Sequence, residues 1–198
     1  MALGLIPQLK KTGFKTMNAQ ELKQILDQHS LWISGEHGSR ANLEGKYLEG
    51  ANLMDVNLVG ANLAYANLYK ANLVGANLEG ANLEGAYLKG ANLEGANLET
   101  ANLEKANLEN ANLVGANLFK ANLEEANLEN ASLVGANLEN ASLEDASLEG
   151  ANLIGTILEK KTVSATFGEE FNAKIAEIES FLDKHGMKLA SPISILPK

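Results

Sequence analysis

Every fifth residue from Leu43 to Leu158 is leucine, without exception over twenty-four positions. No other feature of the chain restricts its fold so strongly. A five-residue period matches neither the 3.6 of a helix nor the plain two-residue alternation of a strand. Two residues before each leucine stands alanine, except at Lys46, Val56 and Thr156. The residue between is Asn eighteen times, and otherwise Tyr47, Tyr87, Ser132, Ser142, Ser147 or Ile157. Residues two apart share one side of an extended segment, so each unit reads as a very short strand and a corner. Turn-prone Asn and Gly are expected to supply those corners. One unit alone buries nothing, whereas stacked units bury a continuous core.

The unbroken Ala-Asn-Leu-Glu-Gly pattern over residues 41–160 resembles the pentapeptide-repeat family, whose motif is A(D/N)LXX. The resemblance implies an all-β solenoid: a right-handed quadrilateral parallel β-helix with four pentapeptides per coil and the leucine and alanine inside. Twenty-four repeats then make about six coils, a stack roughly 29 Å long at about 4.8 Å per coil. The three departures from alanine fall in the first and last coils, as expected of terminal repeats.

Two flanks complete the expected organisation, 1–40 as an N-terminal extension and helical cap and 161–198 as a C-terminal helix and tail. Residues 18–30 read as a short helix, with Asn18 and Glu21 as a capping box and Leu22, Ile25 and Leu26 on one face. Leu31-Trp32-Ile33 is expected to follow that helix, the Trp in the core of a lid over the first coil. Such a lid would cover an open β edge. Near the other end, Phe171, Ile175, Ile178 and Leu182 have helical spacing within residues 168–185, and Gly186 is a stop. That amphipathic helix would cap the stack, cover one of its faces or dimerise. Lys10 and Lys11 follow the first apolar residues rather than precede them, the wrong order for a signal peptide. No stretch has the length to cross a membrane. A cytoplasmic location is expected.

Folding the outward positions modulo twenty sorts the surface into faces, the first beginning at residues 41–45. On the third face the residue after each leucine reads Met54, Val74, Glu94, Val114, Val134, Ile154, and the next is Asp55 and then glycine throughout. An apolar column beside a glycine column makes a flat surface. The opposite, first face carries Glu44, Glu84, Glu104, Glu124, Glu125, Glu144 and Asp145 against Lys105 alone. The repeats hold seventeen acidic and six basic residues, net −11, of which the first face contributes −6.

These patterns argue against catalysis. There is no cysteine, no phosphate-binding loop, and no nucleophile with a base beside it. His29, His37 and His185 lie outside the repeats without metal-ligand spacing. No cofactor, metal, membrane or direct nucleic-acid contact is expected. The expected function is a non-catalytic protein–protein interaction scaffold with an acidic face and an opposite apolar face, binding an unidentified protein or a second copy of itself. The alternative is duplex-DNA mimicry, since some members of the family resemble DNA in shape and charge and bind DNA gyrase. B-DNA carries about one charge per 1.7 Å of axis. The repeats carry a comparable order of charge, as any acidic rod does. Leucine at every central position and uninterrupted coils differ from the gyrase-binding members.

Overall fold

The structure, a computed structural model, describes residues 17–156. The expected C-terminal helix with Phe171, Ile175, Ile178 and Leu182, the end of the last repeat, and residues 1–16 lie outside the described residues.

The pairing of the repeats is uniform. Asn42 bridges Asn62 in parallel, Tyr47 bridges Asn67, and the same offset of twenty continues to Ser132 with Asn152. Four pentapeptides therefore make one coil, in register, with no bulge from the first bridge to the last. Residues 41–60 through 121–140 form five full coils, and a sixth continues to the end of the described residues. Leu43 through Leu153 are all buried, with the repeat alanines of the inner coils between them. Only near the ends do alanines loosen, at Ala51, Ala146 and Ala151.

In the inner coils, a repeat with Asn at its second position gives each backbone N–H a definite destination, and the first coil with its neighbour illustrates the kinds. Leu43 N–H donates to Asn62 O at 2.7 Å and Gly45 N–H to Ala64 O at 2.9 Å, both in the next coil. Asn62 N–H donates back to Ala41 O at 3.0 Å. Lys46 N–H donates to Leu43 O at 3.1 Å and closes the corner. The remaining donor, Glu44 N–H, goes to the side-chain oxygen of Asn42 at 3.3 Å. A core with its backbone donors so matched carries little desolvation cost.

The corner lies at the fourth and fifth positions, and the fifth is left-handed, with φ of 62° at Gly45 and 54° at Asp55. A positive φ at the second central residue marks a type II turn. Asn is thus not a corner residue, contrary to expectation. It sits at the β-bridge, because its amide is needed there to hold the turn N–H two residues on.

Among the described residues, one helix precedes the first coil, α1, Ala19–Ile33. Asn18 caps it, its Oδ1 accepting from Glu21 N–H at 2.8 Å. The expected helix of 18–30 therefore extends three residues further, through Leu31-Trp32-Ile33, and ends at Ser34, whose N–H returns to Ser30 O. Leu22, Ile25, Leu26 and Met17 pack against the leucine core. Met17 N–H donates to Tyr47 O at 3.0 Å, covering part of the first coil's edge. Trp32 is not in the lid's core, being 40% exposed. The buried residue is His29, with the Trp32 ring stacked on it at 5.4 Å. Helical spacing puts His29 three residues after Leu26, on the side that meets the coil, and leaves Trp32 at the rim.

Candidate interaction faces

The acidic residues singled out in the sequence share one face of the stack, since their twenty-residue spacing is the coil period. Glu84, Glu104 and Glu124 are half-buried in succession, and Glu44, Glu125, Glu144 and Asp145 are exposed. The column is broken at Ala64, which is buried. It is also partly neutralised. Lys105 Nζ meets Glu104 at 2.5 Å and Glu125 at 3.3 Å, and these two carboxylates hold the ammonium pKa well above its ordinary value. Tyr65, exposed beside Ala64, donates its hydroxyl to Glu84, and this bond to a carboxylate raises the phenol pKa.

Opposite, the third face presents Met54 and Ile154 exposed at 47% and 44%, with Val74, Val114 and Val134 half-buried between them. Beside that column a Cβ built on Gly95, Gly115 or Gly135 would meet nothing within 4 Å. The strip is therefore open at these three glycines, whereas at Gly75 a Cβ would collide with the Asp55 carboxylate. Glu94 interrupts the apolar column but is exposed, and accepts from Asn112 Nδ2 at 3.4 Å. It carries no burial cost.

The second face contains a cluster the sequence reading passed over. Tyr69 and Tyr87 stack with centroids 5.9 Å apart, and Lys70 lies over the Tyr69 ring at 5.1 Å. Lys89 pairs with Glu109 at 2.7 Å, and this hydrogen bond raises the lysine pKa. Lys46, at an alanine position, reaches Glu21 of α1 at 3.9 Å. Tyr69 and Tyr87 occupy different positions of the repeat, the fourth and the second. Their proximity becomes visible only once both positions are known to line the same outer surface.

Among the described residues no group of three His, Asp or Glu side chains is placed to hold a metal, and no helix is long and apolar enough to cross a membrane.

Comparison with known proteins follows the repeat. The family profile described as pentapeptide repeats matches eight copies, over residues 39–64, 81–118 and 121–159, just over half of the chain. Among solved structures, the pentapeptide repeat protein Rfr23 of the cyanobacterium Cyanothece 51142 is 32% identical, over 72% of this chain and 98% of that one, with a TM-score of 0.43. HetL of Nostoc sp. strain PCC 7120, a pentapeptide repeat protein involved in heterocyst differentiation regulation, is 37% identical over 63% and 62%, TM-score 0.28. QnrB1, a plasmid-mediated fluoroquinolone resistance protein, is 18% identical over 77% and 72%, TM-score 0.37. No curated protein matches at a significant level.

Proposed function

Because this chain belongs to the pentapeptide-repeat family, whose fold is the right-handed quadrilateral β-helix, we propose that it is a non-catalytic scaffold that docks a protein partner on its third face. The observation that carries this reading is the column of Met54, Val74, Val114, Val134 and Ile154, beside which Gly95, Gly115 and Gly135 lie open. Apolar side chains held outward in a continuous row favour an apolar partner surface, and the absence of Cβ atoms lets that surface come close. The stack is internally filled with leucine and alanine, so binding draws on its outer faces.

The test is loss of a defined partner. Val114→Glu with Val134→Glu places two carboxylates on the docking row without touching the core. Proteins that co-purify with the wild type are expected to be lost from this variant, with its circular dichroism and melting unchanged. An identical set of partners with both forms would overturn the reading.

A second reading, mimicry of duplex DNA, is supported by the first-face succession Glu84, Glu104, Glu124 and Glu144, spaced by one coil each. Its readout is inhibition of gyrase-catalysed supercoiling by the wild type, abolished when Glu104, Glu124 and Glu144 are changed to Lys. Lack of inhibition, or inhibition that survives the changes, removes it.

A further inference from the structure

The second face is electrically divided along the stack. Its first three coils carry Lys46, Lys70 and Lys89 against Glu49, while its last three carry Glu109, Glu129 and Glu149 and no base. Half of the six lysines of the repeats thus gather on one half of one face, and the other half of that face is purely acidic. The cationic half also holds the aromatic surface, the stacked Tyr69 and Tyr87 with Lys70 across the Tyr69 ring. Lys70 and Glu149 are exposed, and Lys89, Glu109 and Glu129 are half-buried.

We propose that this face binds a second copy of the same chain, antiparallel, about a two-fold axis that passes between the third and fourth coils. The division of charge selects the geometry. Parallel copies laid face to face would set lysines on lysines and glutamates on glutamates. An antiparallel copy sets the second coil on the partner's fifth and the third on the partner's fourth. Lys70 then faces Glu129 of the other copy, and Lys89 faces Glu109. Both pairings occur twice, as an isologous contact requires. Lys89 already pairs with its own Glu109 at 2.7 Å, so at the axis two such pairs come together as one alternating group of four charges. The tyrosine rings supply contact area at low entropic cost.

The surface also sets the strength. One face of a stack roughly 29 Å long is small beside the 1,200–2,000 Å² typical of stable interfaces. Association is therefore expected to be reversible, concentration-dependent and weakened by salt. The proposal does not depend on the third-face docking described above.

The full chain is examined by sedimentation velocity and light scattering over a range of concentrations, in low and in high salt. In low salt the mass is expected to rise from 21.0 kDa towards twice that value, and in high salt to return to the monomer. Lys70→Glu with Lys89→Glu leaves Lys46 as the one base on an otherwise acidic face, and Glu109→Lys with Glu129→Lys makes most of it basic. Each variant alone is expected to stay monomeric. An equimolar mixture of the two is expected to dimerise, because every facing pair is again of opposite sign. That rescue also shows both variants to be folded. Val114→Glu with Val134→Glu should dimerise as the wild type does. A wild type monomeric throughout, a dimer that persists in either charge-reversed variant, or failure of the mixture to associate would each overturn the proposal.

Discussion

Asparagine at the second position of the repeat makes contacts in two directions. Asn97 accepts from Glu99 N–H at 3.2 Å, donates to Asn77 at 3.1 Å in the coil before, and accepts from Asn117 at 3.1 Å in the coil after. Such ladders occur on the first, third and fourth faces, as at Asn62 with Asn42, Asn72 with Asn52 and Asn97 with Asn77. On the second face Tyr47 and Tyr87 stand in the row. The fifth position is harder on its residue. Thr100, Tyr65 and Lys105 adopt φ of 54°, 56° and 57°, where glycine is unstrained and a β-branched side chain is not. Thr100→Gly is therefore expected to stabilise the protein by about 1 kcal/mol, measured by denaturant unfolding. An unchanged or lower midpoint would show that the Thr100 hydroxyl bond to Glu99 O outweighs the strain. The period told which residues turn inward. It did not tell that the corner is left-handed, because Lys, Thr, Glu and Asn share that position with Gly.

At the scale of one element, α1 was legible through Asn18, Glu21 and the spacing of Leu22, Ile25 and Leu26, and its end was not. What extends it is tertiary. Gly38 packs so closely under α1 that a Cβ there would collide with Gln28 O, Trp32 N and Leu31 Cβ, and Ser39 N–H donates to Gln28 O at 3.1 Å. The returning chain thus clasps the helix's last turns. His29 locks the same junction. Its Nδ1 accepts from Ala41 N–H at 3.1 Å, which leaves the proton on Nε2, buried without a partner. Burial, and to a lesser extent the charge of Arg40, push its pKa below the ordinary value of 6.5. The unfolded chain therefore binds a proton at higher pH than the folded one. The neutral form's stabilisation is complete above pH 6.5 and declines as pH falls from there towards the depressed folded value. Thermal melts from pH 8 down to pH 5 should show this decline in the wild type, and less of it in His29→Gln. Equal slopes in the two proteins would assign the acid sensitivity elsewhere.

For the molecule as a whole, identical coils in register mean that stability is built by neighbours. Each inner coil is hydrogen-bonded on both sides, and its leucines are fully buried. Towards the far end burial relaxes, to 4% exposure at Leu143, 8% at Leu148 and 5% at Leu153. Leu103→Ala in the fourth coil is expected to cost ~2–5 kcal/mol, and Leu153→Ala clearly less, since a terminal coil can loosen without its neighbours. Amide exchange should follow the same gradient, slowest through coils three and four. A uniform cost along the stack would mean that the solenoid unfolds only as one unit. The faces belong to this scale too. The acidic and apolar columns could be read by counting in twenties, because the register has no bulge to break the count. The ion pairs that Lys105 makes with Glu104 and Glu125, and the joining of tyrosines and lysines on the second face, could not.

The sequence by itself determined the repeat and its inner residues, because a strict period buries leucine the same way in every unit; the resemblance to the pentapeptide-repeat family implied four units per coil, and the bridges between residues twenty apart show it. Only the tertiary structure decided where the turn lies, which group the Asn amide serves, and which side chains from different repeat positions meet. A five-residue period fixes what recurs, whereas these contacts depend on the direction each side chain takes from a backbone that turns four times per coil.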